Sequence, residues 1–200
     1  MKASLVILSF FATGLLLGLF RWLPTEFWTY NISFYVLCAL LFSVGISIGN
    51  DPTSFRQFRN LNPRLIFLPL MTLAGTLLGV FFVSFLLKGR SVVECMAVGS
   101  GFGYYSLSSI LITQYKGIEL GTVALLSNIM REVITLLLAP WMVKYFGKLA
   151  PISAGGATTM DTTFPVIIRY SGKEFAIVSI YHGFVMDFSV PFLVTFFCSL

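Results

Sequence analysis

The chain has 200 residues, of which 57% are hydrophobic and only 10% are charged, and its mean hydropathy is +0.90. A soluble domain would carry about 25% charged residues, so the composition excludes an ordinary soluble protein and indicates a membrane protein. The formal net charge of +5 does not indicate nucleic-acid binding, because basic residues in such a chain mainly set its orientation in the bilayer. Cys38, Cys95 and Cys198 lie in apolar runs without metal-ligand spacing, and we interpret them as buried apolar side chains.

Seven apolar segments predict an all-α polytopic membrane protein that forms a single transmembrane domain over residues 1–200. The first segment resembles a signal peptide, but it is long for one, and Arg21-Trp22 follows it where a small-residue cleavage site would be expected. Each segment is about long enough to cross a bilayer. The predicted spans are residues 4–20, 31–49, 65–87, 92–113, 119–139, 150–168 and 174–200.

The positive-inside rule predicts a cytoplasmic N-terminus and an external C-terminus. The loop from Asn50 to Arg64 contains three arginines, so we expect it in the cytoplasm. With seven crossings, the basic residues expected outside are Arg21, Lys88, Arg90, Lys144 and Lys148. Those expected inside are Lys2, Arg56, Arg59, Arg64, Lys116, Arg169 and Lys173. A re-entrant segment 150–168 would move Arg169 and Lys173 outside and reverse this bias, so a crossing is favoured.

Two segments are predicted to be discontinuous helices, broken around residues 99–106 and 155–165. The first break reads Gly-Ser-Gly-Phe-Gly-Tyr-Tyr-Ser, and the second contains Asp161 among small and hydroxylated residues. Pro151 and Pro165 are each expected in the first turn of a half-helix. Small residues are also typical of helix packing, but packing does not explain a carboxylate at bilayer depth. Broken helices that carry charge at the midplane are typical of secondary transporters.

The fifth segment carries a polar stripe, because Asn128, Arg131, Glu132 and Thr135 are spaced three and four residues apart. Two interpretations stay open for it: a structural Arg131–Glu132 pair that neutralises itself, or a member that faces a water-filled site and titrates there. The residues predicted to bind substrate and couple protons are Asn128, Arg131, Glu132, Asp161 and Asp187. The residues predicted to line the cavity are Ser100, Gly101, Tyr104, Tyr105, Thr159, Thr162, Thr163 and His182. No metal site is predicted.

An intramembrane protease was weighed as an enzymatic alternative. Ser100 and His182 resemble a rhomboid-type dyad, but Val98 occupies the position of that motif's first glycine. Asp161 and Asp187 resemble aspartyl intramembrane proteases, but both occur as Met-Asp, which is neither of the motifs of that class. His182 lies about 140° from Asp187 around a helix, so the two are expected on different faces. His182 is therefore either a proton carrier or a hydrogen-bonded structural residue, and no enzyme is predicted.

Four blocks of the sequence resemble the lysine exporters of the LysO type. They are residues 98–109, 127–132, 155–165 and 182–191, and together they cover the chain from about residue 65 to its end. The resemblance implies similarity to the bile-acid, arsenite and cation/proton transporters, which have two crossed broken helices. It also implies export of L-lysine and its toxic analogue thialysine from the bacterial cytoplasm. The membrane-embedded acidic residues of the family correspond to Glu132 and Asp161.

The same resemblance implies a location in the bacterial cytoplasmic membrane and coupling to a proton or sodium gradient, without a cofactor. Typical members carry roughly a hundred further residues ahead of this region, enough for about three more spans. A separate small N-terminal exporter subunit of about three spans is therefore expected as a partner, besides the lipid bilayer. Two alternatives stay open: an exporter of another amino acid or cationic solute, and a non-transporting accessory subunit.

Overall fold

The computed structural model describes residues 65–87 and 89–200, the backbone at 63 and 64, and isolated positions between 13 and 20. The predicted spans 31–49 and most of 4–20, and the arginine-rich loop, lie outside the described residues. The chain divides into two compact units, residues 1–43 and 44–200, and everything below concerns the second. The described part is helical and contains no strand, so the predicted all-α class is confirmed for it.

Eight α-helices make up the described part of the second unit. Two further short 3₁₀ turns, Gly156–Met160 and Lys173–Phe175, connect some of them. The helices are α1 (Pro63–Ile66), α2 (Leu68–Ser84), α3 (Val92–Gly99), α4 (Tyr105–Lys116), α5 (Ile118–Phe146), α6 (Ala150–Gly155), α7 (Phe164–Ser171) and α8 (Ala176–Ser199).

Two of these elements are long and apolar enough to cross a bilayer, and a third is a shorter apolar helix. Among the described residues, Ile118–Phe146 and Lys173–Ser199 are long and apolar enough, and Leu68–Ser84 is a shorter apolar helix that α1 extends. In contrast, α3 has 8 residues and α4 has 12, so at about 1.5 Å per residue neither can cross alone. The described part of the protein is therefore a helical membrane protein with long and half-length helices.

Helices α3 and α4 form a re-entrant hairpin, which we call the first hairpin (residues 92–116). Ser91 and Glu94 cap the start of α3 reciprocally, and Arg90 just before it pairs with Glu119 at the start of α5. Only Gly117 separates the end of α4 from α5. Both ends of the first hairpin therefore lie at the same end of α5, which we call the Arg90 end.

Helices α6 and α7 form the second hairpin (residues 150–171), which enters from the other end of α5. Pro151 and Pro165 lie in the first turns of α6 and α7, as predicted. Lys148 before α6 donates a 2.9 Å hydrogen bond to Glu174 after α7. The chain thus enters and leaves the second hairpin at one end of α5, which we call the Lys148 end.

These contacts correct the expected path of the chain. Segments 92–113 and 150–168 were expected to cross, but each turns back at its break, because each has both ends at one end of α5. Lys148 and Lys173 were expected on opposite sides of the membrane, and the Lys148–Glu174 pair brings them to the same end. The prediction that both helices are discontinuous at these positions is confirmed.

Helix α8 returns along the bundle from the Lys148 end toward the Arg90 end. A small apolar core at its start joins Ile152 of α6, Ile167 of α7 and Val178 of α8. Farther along, α8 packs against the 3₁₀ turn of the second hairpin and against α3 and α4. The break in each hairpin is therefore enclosed between α5 and α8, and this arrangement positions the polar residues described next.

Candidate functional site at the hairpin tips

The tips of the two hairpins meet near the middle of the bundle. The Ala157 N–H donates a 2.9 Å hydrogen bond to the Phe102 carbonyl oxygen. Gly156 has φ of +64°, and a Cβ there would collide with the same Phe102 carbonyl. A glycine is required because the two main chains approach too closely for a side chain.

Asn128 of α5 holds the first tip. Its side-chain oxygen accepts a 2.8 Å hydrogen bond from Gly103 N–H, and its amide nitrogen donates to the Ala124 and Val98 carbonyls at 2.9 and 3.3 Å. A Cβ at Gly101 would lie 2.8 Å from Asn128 Cγ. The buried carboxamide therefore satisfies main-chain groups that the break leaves without helical partners.

Arg131 of α5 holds the second hairpin. Its Nε donates a 2.8 Å hydrogen bond to the Ala154 carbonyl and its Nη2 a 3.1 Å bond to the Ser153 carbonyl. These carbonyls end the half-helix α6, where a cation is favourable. The Phe102 ring lies 5.8 Å from the guanidinium carbon. No ion pair joins Arg131 to Glu132 in the described part of the chain, so the self-neutralising pair is not the arrangement found.

His182 of α8 is buried, and each of its ring nitrogens lies within hydrogen-bond distance of a threonine hydroxyl. Its Nδ1 lies 3.4 Å from the Thr159 hydroxyl and its Nε2 lies 3.0 Å from the Thr72 hydroxyl. Thr159 also donates to the Ser179 carbonyl at 2.9 Å, and Ser179 donates back to the Thr159 carbonyl at 2.7 Å. His182 therefore joins α2 to the second tip, which favours the structural interpretation.

Three carboxylates gather beside the tips, and we call Glu132, Asp161 and Asp187 the acidic site. Glu132 follows Arg131, which anchors the second hairpin, and Asp187 lies on α8, which packs against the 3₁₀ turn that precedes Asp161. Asp161 lies just after the 3₁₀ turn of the second tip, with Glu132 on α5 and Asp187 on α8. The three elements thus bring together acids that are far apart in sequence. Groups of this kind inside a membrane face polar cavities and mark substrate or ion pathways.

Thr162 connects two of these acids. Its N–H and its hydroxyl both donate to Asp161 Oδ1, the hydroxyl at 3.3 Å, and its side chain also interacts with Glu132. Tyr104 lies near Asp161 and Asp187, and Tyr105 lies near Glu132 and Asp161. Thr162 and the phenol groups of Tyr104 and Tyr105 therefore contribute three hydroxyls to the surroundings of the acidic site. Among the described residues, no group of three His, Cys, Asp or Glu side chains is placed to hold a metal ion.

Other predicted cavity residues lie within the packing of the tips. Ser100 is buried, and its hydroxyl donates to the Met96 carbonyl at 2.7 Å. The Thr163 hydroxyl lies 3.2 Å from that of Thr158. Thr72 and Thr76 of α2, which are not among the predicted site residues, contact His182 and Arg131. Their spacing of four residues in an otherwise apolar helix was a signal that could have identified them.

The comparisons with known proteins agree on one family. The family model described as "Lysine exporter LysO" matches residues 8–198. The chain is 35% identical over 163 residues to the Lysine exporter LysO of Escherichia coli K12, which covers 82% of this chain and 54% of that protein. It is 32% identical over 195 residues to a Putative lysine exporter of Haemophilus influenzae, which covers 96% of this chain and 97% of that protein. No solved structure matches.

The chain matches different shares of the two relatives' lengths. The chain spans about half the length of the Escherichia coli relative and nearly all of the Haemophilus influenzae relative. The second match means that the comparisons do not support the expected separate N-terminal subunit. Because the family model covers nearly the whole sequence, the chain belongs to the lysine exporter LysO family.

Proposed function

We propose that this protein is a secondary active exporter of L-lysine that exchanges the amino acid for protons. The observation that carries the proposal is the acidic site, in which Glu132, Asp161 and Asp187 gather beside the tips of two hairpins. Both relatives bear the name of a lysine exporter. A transporter also accounts for three membrane-embedded acids better than an enzyme does, because ionisable groups inside a membrane mark transport pathways.

The chemistry of lysine fits this site. Its two ammonium groups need anionic partners, and the three carboxylates supply them. The rings of Tyr104 and Tyr105 can add cation–π contacts, worth about 2 kcal/mol when desolvated. The substrate carboxylate can bind at the start of α7 (Phe164–Ser171), because α7 begins three residues after Asp161 and helix N-termini favour anions. Thialysine has the same charged groups and would bind in the same way.

Proton exchange supplies the driving force. Moving a positive charge out against an inside-negative potential costs about 2.3 kcal/mol per 100 mV. Inward movement of protons offsets this cost. A bound ammonium stabilises the ionised carboxylates, and burial without one favours their protonated form. The same acids can therefore carry lysine outward and protons inward.

The orientation that we propose follows from the re-entrant hairpins. In the described residues, the Lys148 end carries Lys144, Lys148, Arg169 and Lys173, whereas the Arg90 end carries Arg90 and Lys116. The arginine-rich loop also precedes α1, which begins at the Lys148 end. The positive-inside rule therefore favours a cytoplasmic Lys148 end in the bacterial inner membrane. If spans 4–20 and 31–49 cross, the single transmembrane domain has five crossings, a cytoplasmic N-terminus and an external C-terminus.

Transport by proteoliposomes that contain the full chain tests this proposal. We expect an acidic vesicle lumen to drive accumulation of radiolabelled lysine against its gradient, because protons leave as lysine enters, and we expect Asp161→Asn to abolish it. The control is Glu119→Gln, which removes an exposed acid at the Arg90 end. Growth on thialysine, with this chain as the sole exporter, gives a second readout. Wild-type lysine/proton exchange in Asp161→Asn would rule this residue out as the coupling acid.

A further inference from the structure

We infer that the cavity beside Arg131 is a binding site for a small carboxylate anion, separate from the acidic site. The cavity has a volume of about 640 Å³ and lies between α2, α5 and α6. Arg131 is the only ionisable residue among the described residues that line it, and five hydroxyl-bearing residues surround it: Thr72, Thr76, Ser127, Thr135 and Ser153. Thr135 donates to the Arg131 carbonyl and Thr72 is hydrogen-bonded to His182. The hydroxyls that can serve an anion beside the cation are therefore those of Thr76, Ser127 and Ser153.

The charge of Arg131 is uncompensated within the described part of the chain. It pairs with carbonyl oxygens and with the Thr76 hydroxyl at 3.5 Å, but with no carboxylate. Glu132 follows it in sequence, yet its interactions are with the acidic site. A partly buried cation inside a membrane protein is costly without a counter-charge, and such groups are usually paired. An anion in the adjoining cavity would supply the missing charge.

The guanidinium still has hydrogen-bonding capacity for this anion. The hydrogen bonds of Arg131 to described residues use Nε and Nη2, so Nη1 has no partner among those residues. A carboxylate has two oxygens, which can accept from Nη1 and from a neighbouring cavity hydroxyl at the same time. The geometry therefore favours a planar carboxylate over a spherical ion.

A second cavity gives the anion a route to this site. It has a volume of about 270 Å³ and shares Thr76, Ser127 and Arg131 with the first cavity. It extends between α2 and α3 to Arg90 at the base of the first hairpin. The anion would therefore enter from the Arg90 end, where both Arg90 and Glu94 line the cavity.

The site is distinct from the one proposed for lysine. None of Glu132, Asp161 and Asp187 lines either cavity. Arg131 instead contacts the last carbonyls of α6, only a few residues before the tip that carries Asp161. An anion that shares the guanidinium would alter this anchor, so its binding can influence the acidic site without touching lysine.

Acetate titration of the purified full chain tests the inference. The melting temperature is followed by tryptophan fluorescence while sodium acetate replaces a bulky sulfonate salt at constant ionic strength. We expect a saturable rise for the wild type. In Thr76→Val/Ser127→Ala, loss of two hydroxyls should raise the half-saturating acetate concentration about tenfold. The matched control is Thr122→Val, because Thr122 lies on α5 but lines neither cavity.

Three results would overturn the inference. The first is a wild type with no saturable response, and the second is an unchanged half-saturating concentration in the double variant. The third is competition by lysine but not by 1,5-diaminopentane, which lacks the carboxylate. If only lysine raises the half-saturating acetate concentration, the cavity holds the carboxylate of the substrate itself. We expect neither compound to compete. The titration requires no transport, so a failure of lysine export would leave its result unchanged.

Discussion

The Ala157 N–H donates a 2.9 Å hydrogen bond to the Phe102 carbonyl oxygen, and this bond joins the tips of two hairpins that enter from opposite ends of the bundle. One turn of α5 fixes both tips, because Asn128 bonds the first and Arg131 anchors the second hairpin. Glu132 lies in the same turn of α5. The position of this acid relative to Asp161 is therefore set by the same contacts that hold the tips together.

Gly156→Ala is expected to separate the tips. The residue has φ of +64°, and a Cβ would collide with the Phe102 carbonyl. The left-handed backbone alone costs about 1–2 kcal/mol for a side-chain-bearing residue, so we expect a lower melting temperature and loss of transport. Gly79→Ala in α2 is the control, since nothing lies within 4 Å of the added Cβ. A Gly156→Ala variant as stable as Gly79→Ala would contradict the close approach.

Asn128→Ala is expected to reduce stability as well as transport. The change leaves the buried Gly103 N–H without its acceptor, which costs about 1–3 kcal/mol. Thermal unfolding and lysine exchange should therefore fall together. If the melting temperature stayed at the wild-type value while lysine exchange disappeared, Asn128 would be a substrate ligand and not a residue that positions the first tip.

Glu132→Gln is expected to abolish coupled export and leave the yield and melting temperature near those of the wild type. Arg131 bonds the Ser153 and Ala154 carbonyls and does not pair with Glu132, so neutralising the glutamate strands no cation. Arg131→Gln is the contrasting variant, because it removes the anchor of α6 and should lower stability. A large loss of folded protein in Glu132→Gln would restore the structural ion pair as the better interpretation.

The sequence predicts the positions of both breaks because their causes are local. Three closely spaced glycines mark the first break, and the small residues before Pro165, which starts the half-helix α7, mark the second. The direction of the chain after each break has no local signal. It depends on contacts such as Arg90 with Glu119, which join residues 29 positions apart. The sequence therefore predicts that segments 92–113 and 150–168 cross the membrane, whereas the structure folds each into a hairpin.

The acidic site likewise contains features that have a local sequence signal and features that depend on contacts between distant residues. Asp161 and Glu132 can be identified from sequence, because a charge inside an apolar segment is conspicuous. The partner of Arg131 could not be identified in this way, since main-chain carbonyls of α6 have no sequence signature. Neighbouring residues on a helix also point about 100° apart. The adjacent charges Arg131 and Glu132 therefore serve different sites.

Cysteine labelling distinguishes the hairpins from seven crossings. Lys116→Cys, Lys144→Cys and Lys173→Cys are made separately, with Cys38, Cys95 and Cys198 replaced by serine. Seven crossings would place Lys116 and Lys173 inside and Lys144 outside, whereas the hairpins bring Lys144 and Lys173 to one end and Lys116 to the other. We expect a membrane-impermeant maleimide applied to whole cells to label only Lys116→Cys, and lysis to expose the other two. Labelling of Lys144→Cys alone in whole cells would show that the segments cross.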